Sequence, residues 1–332
     1  MAGFDLKEGK YEERNVSDDE MWSAFACVFS SKSRNDSSYK YGFLKSIIDN
    51  LYNVDENLQL TFDQLFSKFG EIYWNLILKH GIRQKAPTAD NRITYLEQIL
   101  NSAAEKYKID EPIPYESLTS EMMLDISHQV KMKCKKYVVG ALYEDTKRLF
   151  YSFSKKEEYL RFNPQMYQFV CNHKIVIEKL NYYEWARFLE RVNDESVAVK
   201  LLDKLDNSAK RNNLSVYRQI LYDEFESKTC FYCGRKLSPE KIDVDHFIPW
   251  SFIKDDNLWN LVLACPTCNR TKNDRLPEGQ YLSALISRNQ EILSGDNRAV
   301  LQNYQSGMVR KIYYWARING YDKLWRPQYN NR

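Results

Sequence analysis

Residues 228–277 read KTCFYCGRKLSPEKIDVDHFIPWSFIKDDNLWNLVLACPTCNRTKNDRLP. Two CxxC pairs bracket the stretch, Cys230 with Cys233 and Cys265 with Cys268. Gly234 follows the first pair and permits the tight turn that lets both sulfurs face one point. Thiolates in two such knuckles satisfy a tetrahedral zinc ion and leave no position open for water, which marks a structural zinc site. A finger this short cannot count on its own core. Zinc binding worth about 10–16 kcal/mol in small finger peptides is large enough to decide whether it folds.

Between the knuckles, Ile242, Val244 and His246 alternate and predict a strand that delivers Asp245 and His246 to its end. These two neighbours project to opposite sides unless the strand bends, and Pro249 soon terminates it. Leu261 to Ala264 read as a second strand, and Pro266 opens a helix that carries Asn269, Arg270 and Lys272. Strand, long loop, strand and helix make a ββα unit. An imidazole suits the work of a base near neutral pH. An aspartate and an amide oxygen suit one hard divalent cation such as magnesium or manganese.

The DH pair, the asparagine closing the loop and CNxxK on the helix resemble, in order and spacing, the HNH family of His-Me finger (ββα-metal) nucleases. The stretch DVDH…PxSFxKDD…N…N…K is also similar to the HNH domain of RNA-guided CRISPR nucleases, which lack the cysteine knuckles. The resemblance implies a metal-dependent endonuclease that cuts DNA and leaves a 5′-phosphate and a 3′-hydroxyl. His246 would be the base, Asp245 and Asn269 the magnesium or manganese ligands, and Asn260 a hydrogen-bonding residue that holds the histidine's strand. Arg270 and Lys272 are placed for phosphate contacts, and Arg275 extends that basic face. A second histidine often stands where this chain has Asn269, which leaves the choice of metal open. Two alternatives stay in view: an inactive zinc-dependent nucleic-acid-binding or adaptor module, and an RNase or mobile-element nickase of the same fold.

The chain has 332 residues with Lys+Arg 48 against Asp+Glu 45, a formal charge of +3. Nucleic-acid contact must therefore come from local clusters and not from a global field. No apolar run is long enough to span a membrane, and the charged start MAGFDLKEGKYEERN is unlike a secretory signal. A soluble, cytoplasmic protein is expected, and in that setting paired cysteines point to metal. Cys27, Cys134 and Cys171 then pack as small hydrophobes, and His80, His128 and His173 take helix-end, solvent-facing or core roles.

Upstream, Phe43, Leu44, Ile47, Ile48 and Leu51 mark one amphipathic helix. Thr61 and Gln64 form a capping box before a stripe from Phe62 to Leu76. Helix, extended piece and helix fit either a winged-helix-like unit or a plain helical scaffold. A helix around 119 to 136 is expected to end in KMKCKKY, its lysines meeting either solvent or phosphates. RLFYSF reads as a strand, Trp185 to Val192 as a helix, and DNSAKRNN (206 to 213) as a hinge. In the tail, Tyr313, Tyr314, Trp315 and Trp325 either pack or stack on unpaired bases.

The expected fold is α+β: a helical region 1–115, a mixed region 116–205, and a ββα finger with structural zinc and a helical tail, 206–332. The segments YKYGFLKSIIDN, EIYWNLI and YYEWARFLE resemble the helical regions of bacterial HNH proteins in restriction and anti-phage settings. That resemblance hints at a defence effector. A free nuclease would damage its host, so a licensing partner such as an ATPase or signal-sensing protein is expected, and pairing as a homo-oligomer to break both strands stays open.

Overall fold

The computed structural model describes residues 5–30, 33, 35–88, 92–209, 214–224, 228–238, 241–294, 301 and 304–328. The chain divides into two compact units, residues 1–210 and 211–332. In the first unit the order is β1 (Glu8–Gly9), α1 (Asp18–Val28), α2 (Tyr39–Asp49), β2 (Gln59–Thr61), α3 (Phe62–Trp74), α4 (Tyr95–Lys106) and α5 (Ser120–Asp145). It continues through β3 (Tyr151–Ser154), β4 (Tyr159–Phe162), α6 (Pro164–Asn172), α7 (Lys174–Val192), α8 (Glu195–Ala198) and α9 (Leu201–Asp206).

Local chemistry starts α3 where the sequence places it. Thr61 Oγ1 accepts from the Gln64 amide at 3.2 Å, and Gln64 Oε1 accepts from the Thr61 amide at 2.8 Å. The stripe Phe62, Leu65, Phe66, Phe69 and Ile72 is fully buried. α2 is buried on every side, and it crosses α3 so closely that a Cβ on Gly42 would lie 2.3 Å from the Tyr73 ring.

The sheet runs β1-β3-β4-β2, with β2 antiparallel to β4 through Leu60↔Leu160. The segment that suggested a winged helix thus lends its extended piece to a distant hairpin, β3–β4. For the same reason regions 1–115 and 116–205 share one sheet, with α3 packed along α5.

α5 does not end at the lysines but runs on to Asp145. Those cations are used within the unit: Lys131 pairs with Asp63 at 2.7 Å and Glu158 at 2.6 Å, and Lys135 pairs with Glu158 at 2.5 Å. Lys133 lies over the Tyr95 ring at 4.4 Å. Of the expected hinge, residues 210–213 lie outside the described residues. Ser208 before them is buried, its carbonyl accepting from Asn75 Nδ2 at 2.9 Å.

The second unit contains α10 (Ser215–Glu224), β5 (Asp243–His246), α11 (Trp250–Ile253), β6 (Leu261–Ala264), α12 (Pro266–Lys272), β7 (Leu276–Pro277), α13 (Gly279–Ser294), α14 (Ser306–Ile318) and β8 (Leu324–Trp325). β5 and β6 are antiparallel from Asp243↔Ala264 to His246↔Leu261, and β6 is buried along its length. α13 fastens onto this hairpin. Arg288 Nη1 donates to Leu261 O at 2.7 Å and Asn289 Nδ2 to Trp259 O at 2.9 Å. Burial without a carboxylate partner in these bonds pulls the Arg288 guanidinium down to about 10. Trp315 and Trp325 are buried and Tyr313 donates to Pro277 O at 2.6 Å, so these rings pack; Tyr314 is exposed. Among the described residues no helix is long and apolar enough to cross a membrane.

The first unit also buries an ion pair, Lys45 to Asp49 at 2.8 Å, with both side chains at 0% exposure. Burial works against both charges. The pairing, with Glu178 nearby, nonetheless leaves the Lys45 ammonium raised, and Lys45 with Lys68 leaves the Asp49 carboxyl lowered. The pair's contribution is therefore full between about pH 4 and 10, lost as pH falls through the depressed Asp49 value and as it rises through the raised Lys45 value. Asp49→Ala should destabilise the chain by about 3–5 kcal/mol in chemical denaturation, because it strands a buried cation. Lys45→Met with Asp49→Leu should cost far less. An equal loss in the double variant would assign the cost to packing and not to charge.

Candidate active site and zinc centre

The knuckles form as local geometry requires. The Gly234 amide donates to Cys230 O at 2.9 Å, and Gly234 has φ +69°, the left-handed turn expected of it. Cys265 caps α12, whose Asn269 amide donates to Cys265 O at 3.0 Å. The Sγ atoms of Cys230, Cys233, Cys265 and Cys268 all lie within 4.8 Å of one another, and Cys233 and Cys265 are 3.9 Å apart. Bonds of about 2.3 Å to a tetrahedral zinc place sulfurs roughly 3.8 Å apart, so the four residues fit the ion. Burial pushes the Cys230 and Cys268 thiols up, with Cys268 raised further by the neighbouring sulfurs. Zinc must therefore displace protons to bind.

Asn260 closes the loop between the strands. It is fully buried, its Nδ2 donates to Ile248 O and its Oδ1 accepts from the Ile248 amide, each at 2.8 Å. Its own carbonyl accepts from the Phe247 amide at 2.7 Å. One side chain and one carbonyl thus satisfy the backbone just after His246 and fix where β5 ends.

Beside this clamp lies a cleft of about 320 Å³ lined by Asp243, Asp245, His246, Asn269, Arg270 and Asp274 among others. Asp245 and His246 both reach it, although β5 keeps its pairing to the last residue. His246 is 4% exposed, and its Nε2 lies 2.7 Å from Asp256 Oδ1. Asp245 is held by the Tyr232 hydroxyl at 2.5 Å and by Lys272 Nζ at 3.0 Å. Burial and the Asp245 charge keep the Tyr232 phenol protonated, well above its usual range. Asn269 Nδ2 donates to Asp243 Oδ2 at 3.0 Å, which leaves the amide oxygen as its ligand atom.

Three aspartates line the cleft against one arginine. Carboxylate and amide oxygens of this kind fit a small hard cation, and the excess negative charge makes an uncompensated phosphate unwelcome there. Asp245 and Asn269 are the residues that would hold such an ion, with Asp243 beside them.

Lys272 departs from its expected role. It is 1% exposed, donating to His246 O at 2.7 Å as well as pairing with Asp245. One turn separates it from Cys268, so the helix face that carries the zinc ligand inward carries Lys272 inward too. It cannot meet a phosphate. Arg275 lies elsewhere as well: it is exposed, its Nε donates to Lys272 O at 3.3 Å, and it lines a separate concavity on the knuckle side. Arg270 is the predicted cation that is both exposed and on the cleft wall.

Residues 230–278 match the family model of HNH endonucleases. No solved structure matches the chain. The HNH segment thus begins at the first zinc cysteine and ends just beyond β7, with the ββα unit inside it.

Sequence reasoning missed Asp243, Tyr232 and Asp256. Asp243 shares a strand face with Asp245 at spacing i, i+2, a signal present in DVD. Tyr232 and Asp256 lie 13 and 10 residues from their partners, so only the folded loop brings them near.

Asn260→Ala should cost about 2–4 kcal/mol in thermal or chemical unfolding, since an unsatisfied buried backbone group costs about 1–3 kcal/mol. Zinc retention, read by metal analysis after dialysis, should fall as pH drops, because protons compete for the thiols. Retention independent of pH would exclude thiolate ligation.

Proposed function

We propose that the HNH segment hydrolyses phosphodiester bonds in DNA. The observation that carries the reading is the convergence of His246, Asp245 and Asn269 on one polar cleft inside the segment matching HNH endonucleases. In this reading His246 removes the proton from a water molecule, and the resulting hydroxide attacks phosphorus opposite the 3′ oxygen. That oxygen leaves and takes up a proton, giving a 5′-phosphate and a 3′-hydroxyl. A magnesium or manganese ion held by Asp245 and Asn269 would supply positive charge to the phosphoryl and leaving oxygens. Lys272 fixes Asp245 from behind, and Arg270 on the cleft wall contacts a phosphate of the strand. The setting we propose is restriction or anti-phage defence, with cutting licensed by a partner or by self-association.

The test is purified full-length chain on supercoiled plasmid with magnesium, manganese or chelator. Linear or degraded plasmid in either metal, none with chelator, is expected. His246→Ala should lower the cleavage rate by about 10²-fold or more, the contribution of a positioned base, while keeping its zinc and a cooperative unfolding transition. Nicks alone would make the protein a nickase, and cleavage confined to RNA would overturn the substrate. Binding without cleavage in either metal would favour the adaptor reading.

A further inference from the structure

The partner of the candidate base is itself a carboxylate that the substrate cannot reach. Asp256 Oδ1 is 2.7 Å from His246 Nε2, the two side chains being 3% and 4% exposed, and Asp256 is absent from the residues lining the cleft. A carboxylate only accepts hydrogen bonds, so the ring nitrogen facing it must carry the proton. In neutral imidazole that leaves the lone pair on Nδ1.

The loop holding Asp256 is pinned at several points. Lys254 ends α11 in the left-handed conformation, φ +62°. The Asp256 amide donates to Asp255 Oδ1 at 2.8 Å, and the Asn260 amide donates to Asn257 O at 2.8 Å. Asn260 also holds Ile248, so the clamp that ends the histidine's strand also terminates the aspartate's loop. Asn260 thus holds both sides of the pair, its side chain fixing the backbone after His246 and its backbone amide the loop after Asp256.

We propose that Asp256 is a positioning residue for the reaction argued above. It locks His246 in the Nε2–H tautomer, assigns proton abstraction to Nδ1, and stabilises the imidazolium that forms when Nδ1 takes the proton from water. The inference rests on His246 being the base. The proton stays on the ring, and Asp256 is not itself protonated during the step. A buried carboxylate in this relation to a base acts through ring orientation and charge, and its amide isostere can leave the geometry intact while the rate collapses.

Two measurements separate this role from a merely structural one. The first is ¹⁵N-resolved NMR of the histidine rings in the full chain at alkaline pH, with the His246→Ala spectrum assigning the signal. The expected pattern is that of an Nε2–H ring, changed in Asp256→Asn. The second is steady-state cleavage by Asp256→Asn: kcat should fall by about 10²-fold or more, with KM for DNA and the unfolding midpoint unchanged. An Nδ1–H ring in the wild-type chain would overturn the proposal, as would a folded Asp256→Asn protein with full kcat. If Asp256→Asn does not fold, the wild-type spectrum alone decides the tautomer. If His246→Ala cleaves like wild type, the base assignment fails, and the NMR pattern still tells whether Asp256 sets the ring.

Discussion

Four sulfurs drawn within 4.8 Å of one another join the Cys230–Cys233 turn to the first turn of α12, and the remaining geometry of the finger follows from that junction. α12 has seven residues, too few to be stable by itself. Fixed at Cys265 and Cys268, it presents Asn269 to Asp243 and sends Lys272 under Asp245. A zinc ion with four thiolates carries a charge of about −2. The concavity on that side is lined by Arg235, Arg275 and Arg326 together with three of the four cysteines.

What the sequence disclosed was what short-range chemistry determines. The Thr61–Gln64 box, the left-handed turn at Gly234, Pro266 at the head of α12 and the loop-closing Asn260 each depend on neighbours or on a spacing with few structural solutions. What stayed hidden was pairing across the chain. β2 lacks a hairpin mate of its own, so nothing near Leu60 announces Leu160. KMKCKKY resembles a helix end because cations suit a C-terminal dipole. The carboxylates of Asp63 and Glu158 allow the helix to pass straight through instead. Lys272 was misplaced for a related reason: its spacing from Asn269 matches a nuclease pattern, but spacing does not say which face of α12 is buried.

Both units turn lysines inward. In the first, Lys40 pairs with Asp145, Lys45 with Asp49 and Lys131 with Asp63 and Glu158; in the second, Lys272 pairs with Asp245. Each such cation is already matched by a carboxylate, so it offers no free positive charge to a polyanion, while the net charge stays at +3. Lys131 and Lys135 at the centre of α5 are an internal brace.

The cleft itself completes the argument. With Asp243, Asp245 and Asp274 on its wall and Arg270 the cation among its lining residues, it holds more negative than positive charge. Lys272 behind Asp245 offsets part of the excess without reaching the opening. A phosphodiester approaching such a wall is repelled at short range unless a cation enters with it or before it. In the proposed reaction, the acidity that looks wrong for a phosphate-binding surface is the feature that would tie hydrolysis to a divalent ion. The buried His246–Asp256 pair would stand apart from the aspartates on the wall in that reaction, because a carboxylate in the cleft would serve a metal and one behind the ring would serve the base.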